Sequence, residues 1–176
     1  MKLIVISSPA PVSNEHEIIN SLFEVGLELF HIHKLDFGKE EIKDFIQQIP
    51  SKYHGKVFLH SDFPKFHSLE ELKSYKGEKY NYAFLSPIFD SISKKDYKSK
   101  FSHRLHKFSQ IKSELISAIS GKAVVALGGI DESKIETCRE FGFTGIAVLG
   151  AIWSSTNPVK KFKRIKEKCQ KKDLTF

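Results

Sequence analysis

Short apolar runs alternate with amphipathic segments along this chain. Leu3–Ile6, Leu29–His33, Val57–His60, Tyr82–Leu85, Ala123–Leu127 and Gly145–Leu149 are each four or five mostly apolar residues. Runs of that length and composition read as strands buried on both faces. Between them, apolar residues return at helical spacing: Ile18, Ile19, Leu22 and Phe23, then Ile42, Phe45, Ile46 and Ile49. Leu105, Phe108, Ile111, Leu115 and Ile119 form another stripe, followed by Ile135, Cys138 and Phe141, and by Val159, Phe162, Ile165 and Cys169. Helix starts are marked by Asn14 with Glu17, Ser68 with Glu71, Asp131, and Asn157 before Pro158, the residues that cap free N–H groups. Gly26, Pro50 and Gly121 mark stops. Six strands alternating with helices predict a parallel sheet with helices packed outside it.

At 176 residues, the chain reads as one domain, residues 1–176, short for an eight-stranded (β/α) barrel of about 250 residues. The net charge of +7 admits an anionic partner or a lysine-rich exterior. Much of it falls on the wet side of the last helix, from Lys160 to Lys168, and no nucleic-acid motif accompanies it. No leader pattern and no apolar run of about 20 residues is present. Two cysteines, Cys138 and Cys169, sit within helical patterns. The expectation is a cytoplasmic protein with neither membrane nor nucleic-acid partner.

Candidate chemistry gathers where strands end. Gly128-Gly129 follows one strand and Gly150 the next; such turns let a backbone approach a ligand and turn N–H groups toward an anion. In (β/α) barrels the loops after the last two strands bind phosphate. Phe30-His31-Ile32-His33 alternates, so both histidines face away from the helices and need polar partners. A ligand, structural hydrogen bonds, or a metal completed by His60 would each serve. His67 precedes a helix start, where the dipole favours a neutral imidazole suited to general-base work. Ser91, Ser93 and Lys94 follow the fourth strand and could form a second anion site.

Together these residues resemble the thiamine-phosphate synthases. Ser86-Pro87-Ile88-Phe89 with Ser91, Ser93 and Lys94 is similar to their Gly-Pro-Ile-Phe…Thr-x-Thr-Lys segment. Val124-Val125-Ala126-Leu127-Gly128-Gly129-Ile130 resembles their Val-Val-Ala-Ile-Gly-Gly-Ile, and Gly145-Ile146-Ala147-Val148 with Ala151-Ile152 resembles the next strand. Phe30-His31-Ile32-His33 and Phe66-His67-Ser68-Leu69-Glu70-Glu71 resemble segments of the related thiazole tautomerase.

The resemblance implies a shortened TIM-type (β/α) barrel in thiamine biosynthesis. Its ligands would be a phosphorylated thiazole and a pyrimidine pyrophosphate. Gly128, Gly129 and Gly150 would hold the thiazole phosphate; Ser91, Ser93 and Lys94 the pyrophosphate side, with Lys94 counted as catalytic. His31, counted as catalytic, stands where the synthase has a glutamine, and His33, read as substrate-binding, where it has an arginine. His60-Ser61 replaces an Asn-Asp pair, leaving Asp62 or Asp90 to contact Mg²⁺. A helix-strand-helix-strand segment before His67 is missing, implying two lost strands. The expectation is therefore a six-stranded closure or a homodimer covering the gap. Three readings follow: a synthase using Mg²⁺, a metal-independent tautomerase in which His67 moves a proton, or a phosphate-ligand-binding relative without catalysis.

Overall fold

The structure is a computed structural model that describes residues 1–77, 79–90, 92 and 108–171. Its strands are β1 (Lys2–Ile6), β2 (Leu29–Ile32), β3 (Val57–Leu59), β4 (Lys65–Phe66), β5 (Ala83–Leu85), β6 (Val124–Leu127) and β7 (Gly145–Val148). Interleaved are helices α1 (Glu15–Glu24), α2 (Lys39–Gln47), α3 (Leu69–Ser74), α4 (Phe108–Ile119), α5 (Ile135–Glu140), α6 (Gly150–Trp153) and α7 (Pro158–Gln170). The strands form one parallel sheet in the order β3-β2-β1-β7-β6-β5-β4.

Seven strands replace the expected six. The addition is β4, two residues long and paired with β5, too short to show any alternation in the sequence. Among the described residues the sheet is thus one strand, not two, short of an eight-stranded barrel. Among the described residues β3 and β4 are the sheet edges, so the barrel does not close between them.

Alternation sorts the strand residues into two cores. Val5, Phe30, Leu85, Val124, Ile146 and Val148 face outward and pack against helix residues such as Ile19, Leu22, Leu72, Phe162 and Ile165. Ile4, Ile6, Tyr82, Phe84, Val125 and Ala147 face inward. On α7, Phe162, Ile165 and Cys169 are buried as the stripe predicts, and Asn157 caps the helix by accepting from the Lys160 N–H at 2.9 Å. Ser68 likewise accepts from the Glu71 N–H at 3.1 Å.

Two predicted caps differ. Asn14 adopts a left-handed conformation (φ 56°) and its side chain makes no cap bond. Asp131 instead closes a turn, accepting from the Ser133 N–H at 2.8 Å and the Ser133 hydroxyl at 2.6 Å, while α5 starts at Ile135. In both places another local hydrogen-bonding geometry wins over the helix cap. Leu105 lies outside the described residues.

The open side is packed from within. Phe63, on the link from β3 to β4, stacks on Tyr82 at 4.6 Å and 20°, and its ring lies 4.6 Å from His31 and 6.3 Å from Phe84. Phe63→Ala should therefore cost about 2 kcal/mol, below the full range for a buried phenylalanine because this side chain is half-buried. Thermal unfolding should show a fall of about 5 °C; an unchanged midpoint would mean the ring does not support the interior.

Candidate functional site

The strands end, on their C-terminal side, around a cleft of about 540 Å³. Its walls include Ser8 after β1, His33 after β2, Pro87 after β5, Gly128-Gly129 after β6, and Gly150 and Trp153 of α6. Main-chain and side-chain bonds tie these ends together. The His33 N–H donates to the Ser7 hydroxyl at 2.7 Å, and the Trp153 indole donates to the Ile6 carbonyl at 2.6 Å. Ile88 and Phe89 N–H groups donate to Leu127 and Gly128 carbonyls at 3.0 and 3.1 Å.

Gly128 and Gly129 have positive φ, +98° and +63°. A Cβ at Gly128 would lie 2.9 Å from Pro87 Cα, and one at Gly129 would run into the Asp90 carbonyl oxygen. The backbone that approaches these glycines most closely is thus the chain's own 86–90 segment. Gly129 and Gly150 line the cleft. Among the described residues, the N–H groups of Gly129, Gly150 and Ala151 donate to no protein group, as the first turn of α6 requires. Gly129→Ala should cost about 2 kcal/mol, combining a left-handed φ that side-chain-bearing residues rarely adopt with the clash. Urea unfolding would show a lower midpoint; unchanged stability would leave the glycine with a purely ligand-facing role.

His33 is half-buried and lines the cleft. His31 does not: it is fully buried one layer deeper, with its Nε2 2.6 Å from the Tyr82 hydroxyl. His60 joins them, its ring 5.7 Å from His31 and 5.2 Å from His33. Burial, reinforced by the Lys65 ammonium, lowers His31 to about 4 and His60 to about 3, so both are neutral at neutral pH. Burial also pushes the Tyr82 phenol up to about 12, keeping it protonated. The Nδ1 atoms of His31 and His60 are buried without hydrogen-bond partners.

His67 is exposed at the end of β4. Its N–H donates to Glu71 Oε2 at 2.6 Å, and its Nδ1 lies 3.1 Å from the carbonyl oxygen of Ser86, a cleft residue. A carbonyl only accepts, so Nδ1 carries the proton and Nε2 is the ring's acceptor in the neutral form. Ser91, Ser93 and Lys94 lie outside the described residues. Trp153 and Lys65 escaped the sequence reading. The signal for Trp153 was the chain's one tryptophan just after a glycine-ended strand; Lys65 carried none.

Mg²⁺ is held by oxygen ligands, commonly one or two carboxylates with substrate phosphates. Among the described residues no three His, Cys, Asp or Glu side chains are grouped to hold a metal ion. Asp62 opens onto a separate cleft with Lys65 and Glu71, its Oδ1 accepting from the Ser61 hydroxyl at 3.2 Å. Asp90 is exposed, and neither aspartate lines the glycine-walled cleft. Their placement does not fit a cage in which the protein itself holds Mg²⁺.

A parallel β/α half-barrel with its cleft at the strands' C-terminal ends belongs to the TIM-barrel class. The family model for thiamine monophosphate synthase matches residues 66–152. A thiamine-phosphate synthase of Anoxybacillus flavithermus is 27% identical over 85% of this chain and 63% of its own length. One from Limosilactobacillus reuteri is 31% identical over 49% of this chain and 37% of its own. Among solved structures, a thiamine phosphate pyrophosphorylase from Bacteroides thetaiotaomicron superposes with a TM-score of 0.74 at 26% identity, covering 96% of this chain and 97% of that one. That from Pyrococcus furiosus shares the fold, with a TM-score of 0.72 at 16% identity over 96% and 95% of the two chains. In sequence and in fold the chain is similar to the thiamine monophosphate synthase family, whose model covers just under half of its length. It spans less than two thirds of the length of the curated relatives named here. No helix among the described residues is long and apolar enough to cross a membrane.

The two buried histidines set an acid limit. Unfolded, each titrates near 6.5, above its folded value. The unfolded chain then binds more protons below pH 6.5, so stability is complete above that pH and lost as pH falls through about 4 and about 3. The melting temperature should drop steadily over this window, and His60→Phe should flatten the drop. A wild-type profile level from pH 7 to 4 would contradict neutral burial.

Proposed function

We propose that this chain binds a phosphorylated thiazole in the glycine-walled cleft and joins it to a hydroxymethylpyrimidine pyrophosphate, as a thiamine-phosphate synthase. The observation that carries this is the pair of donor-bearing turns, Gly128-Gly129 and the first turn of α6, on one wall of a cleft in a chain similar to this family. N–H groups at a helix start and a glycine turn suit a phosphate dianion. In the reaction the thiazole nitrogen forms a bond to the pyrimidine methylene carbon. The carbon–oxygen bond breaks, and pyrophosphate leaves with its electron pair.

The chain's part is to anchor the thiazole phosphate, orient the ring against the wall containing His33, and shield the reacting carbon from water. Ser91, Ser93 and Lys94 would meet the pyrophosphate, as the family resemblance implies. Mg²⁺, if used, would be carried in by the substrate phosphates. Free buried thiols at Cys138 and Cys169 suit a reducing, cytoplasmic setting.

One observation favours the tautomerase reading as the alternative. The Ser86 carbonyl fixes His67 with Nε2 as acceptor, which is what proton abstraction from a thiazole needs. The discriminating experiment measures both reactions in the parent and in His67→Ala, with Mg²⁺ and with a chelator. Chelator-sensitive condensation, little changed by His67→Ala, is the expected result. Metal-independent proton exchange abolished by His67→Ala, without condensation, would replace the synthase by the tautomerase. Calorimetry should show the phosphorylated thiazole binding at least tenfold more tightly than its alcohol, about 1.4 kcal/mol. Binding without either turnover would leave the non-catalytic reading.

A further inference from the structure

The chain's one tryptophan, Trp153, lines the glycine-walled cleft and is half-buried there. It closes α6, a helix of only four residues, too short to hold its own shape and place. Two features fix it. Ala151 and Ile152 are buried, and the Trp153 indole N–H donates to the Ile6 carbonyl, 2.6 Å away and 147 residues earlier. Ile6 ends β1, and the next N–H, that of Ser7, donates to the His31 carbonyl at 2.8 Å. The indole is thus anchored by its edge to the sheet.

That bond also limits what the side chain can offer a ligand. An indole has one N–H and no acceptor, and here the main chain engages that N–H. What remains for the cleft is ring surface. Trp153 stands three residues after Gly150, so the two share a helix face, and the side chain leans back toward the helix start. The ring therefore lies on the Gly150 side of the cleft.

The surrounding wall is largely apolar, with Val12, Pro87, Leu127 and Leu149 among its residues. Such a surface suits a flat ring and gives little to the hydroxyls of a polyol phosphate. Pro9 and Val12 also border a second cleft beyond the β1–α1 loop, but its carboxylates, Glu15, Glu17 and Asp36 among them, would repel a phosphate ester.

We propose that Trp153 is a specificity-determining residue of the glycine-walled cleft, its anchored ring receiving the heteroaromatic ring of a phosphate ester. This role rests on the ligand proposed above, a phosphorylated thiazole. The glycine turns take the phosphate, and Trp153 selects the ring.

The test titrates the phosphorylated thiazole and n-butyl phosphate, an ester of equal charge without a ring, into the whole chain by calorimetry. Wild type should bind the thiazole ester at least fivefold more tightly. Trp153→Leu should abolish that preference while changing n-butyl phosphate less than twofold. Trp153→Phe should keep at least a threefold preference. Both variants leave the Ile6 carbonyl without the indole donor, so the difference between them isolates the ring. The single tryptophan also reports directly: its emission should change saturably with the thiazole ester, at the calorimetric midpoint, and stay level with n-butyl phosphate. If Trp153→Leu fails to fold, the wild-type emission decides. Unaltered emission, equal wild-type affinities, a preference retained by Trp153→Leu, or equal weakening of both esters would each overturn the role of Trp153 and leave the phosphate site standing. Wild type that binds neither ester would overturn the phosphate site itself, and the role of Trp153 with it.

Discussion

The structure depends on filling a barrel interior with one strand fewer than closure needs. Among the described residues, seven strands leave β3 and β4 as edges, and the gap would otherwise admit water to the inner faces of β2 and β5. Aromatic area takes the missing strand's place. Phe63 and Phe58 meet at 5.9 Å, and Phe63 stacks on Tyr82. Phe63 and Tyr82 bury apolar surface without demanding backbone partners, which a third strand edge would have done, while Phe58 stays 37% exposed at the rim.

That packing has an electrostatic consequence. With rings on most sides, His31 and His60 are dehydrated and remain neutral, and the Lys65 ammonium opposes their protonation further. Lys65 feels the same burial, which lowers its own affinity for a proton, while Asp62 partly restores it. The interior below the cleft is therefore uncharged imidazole and phenol, and the charges stand at its margins. Under the proposed function, a phosphate at the glycine turns would meet N–H dipoles rather than a buried cation.

The β1–α1 loop divides two clefts of opposite character. On one side, the tied strand ends and α6 expose donors; on the other, carboxylates and phenylalanine rings surround a buried ion pair. Trp153 is central to the first arrangement, since its bond to the Ile6 carbonyl links α6 to β1 across the cleft. Moving α6 would shift the glycine-turn donors and the wall shared with the acidic cleft together.

Local pattern alone determined much of this protein. The runs at Leu3–Ile6, Tyr82–Leu85 and Val124–Leu127 are strands because continuous apolar residues suit a sheet covered on both faces. The helix stripes, the Asn157-Pro158 start, and the inward turn of His31 and His33 followed from periodicity and capping chemistry. The glycine turns were visible as turns. Their reason was not: positive φ at Gly128 and Gly129 serves the approach of the 86–90 segment, a contact between parts of the chain about forty residues apart. β4 was invisible because two residues carry no period and its partner strand alone defines it. Asn14 and Asp131 had the composition of caps, and the surrounding turns redirected them. The depth of His31, the tautomer of His67 and the pairing of Lys34 with Glu15 were decided only when distant segments met, because burial and hydrogen-bond partners are properties of the packed chain.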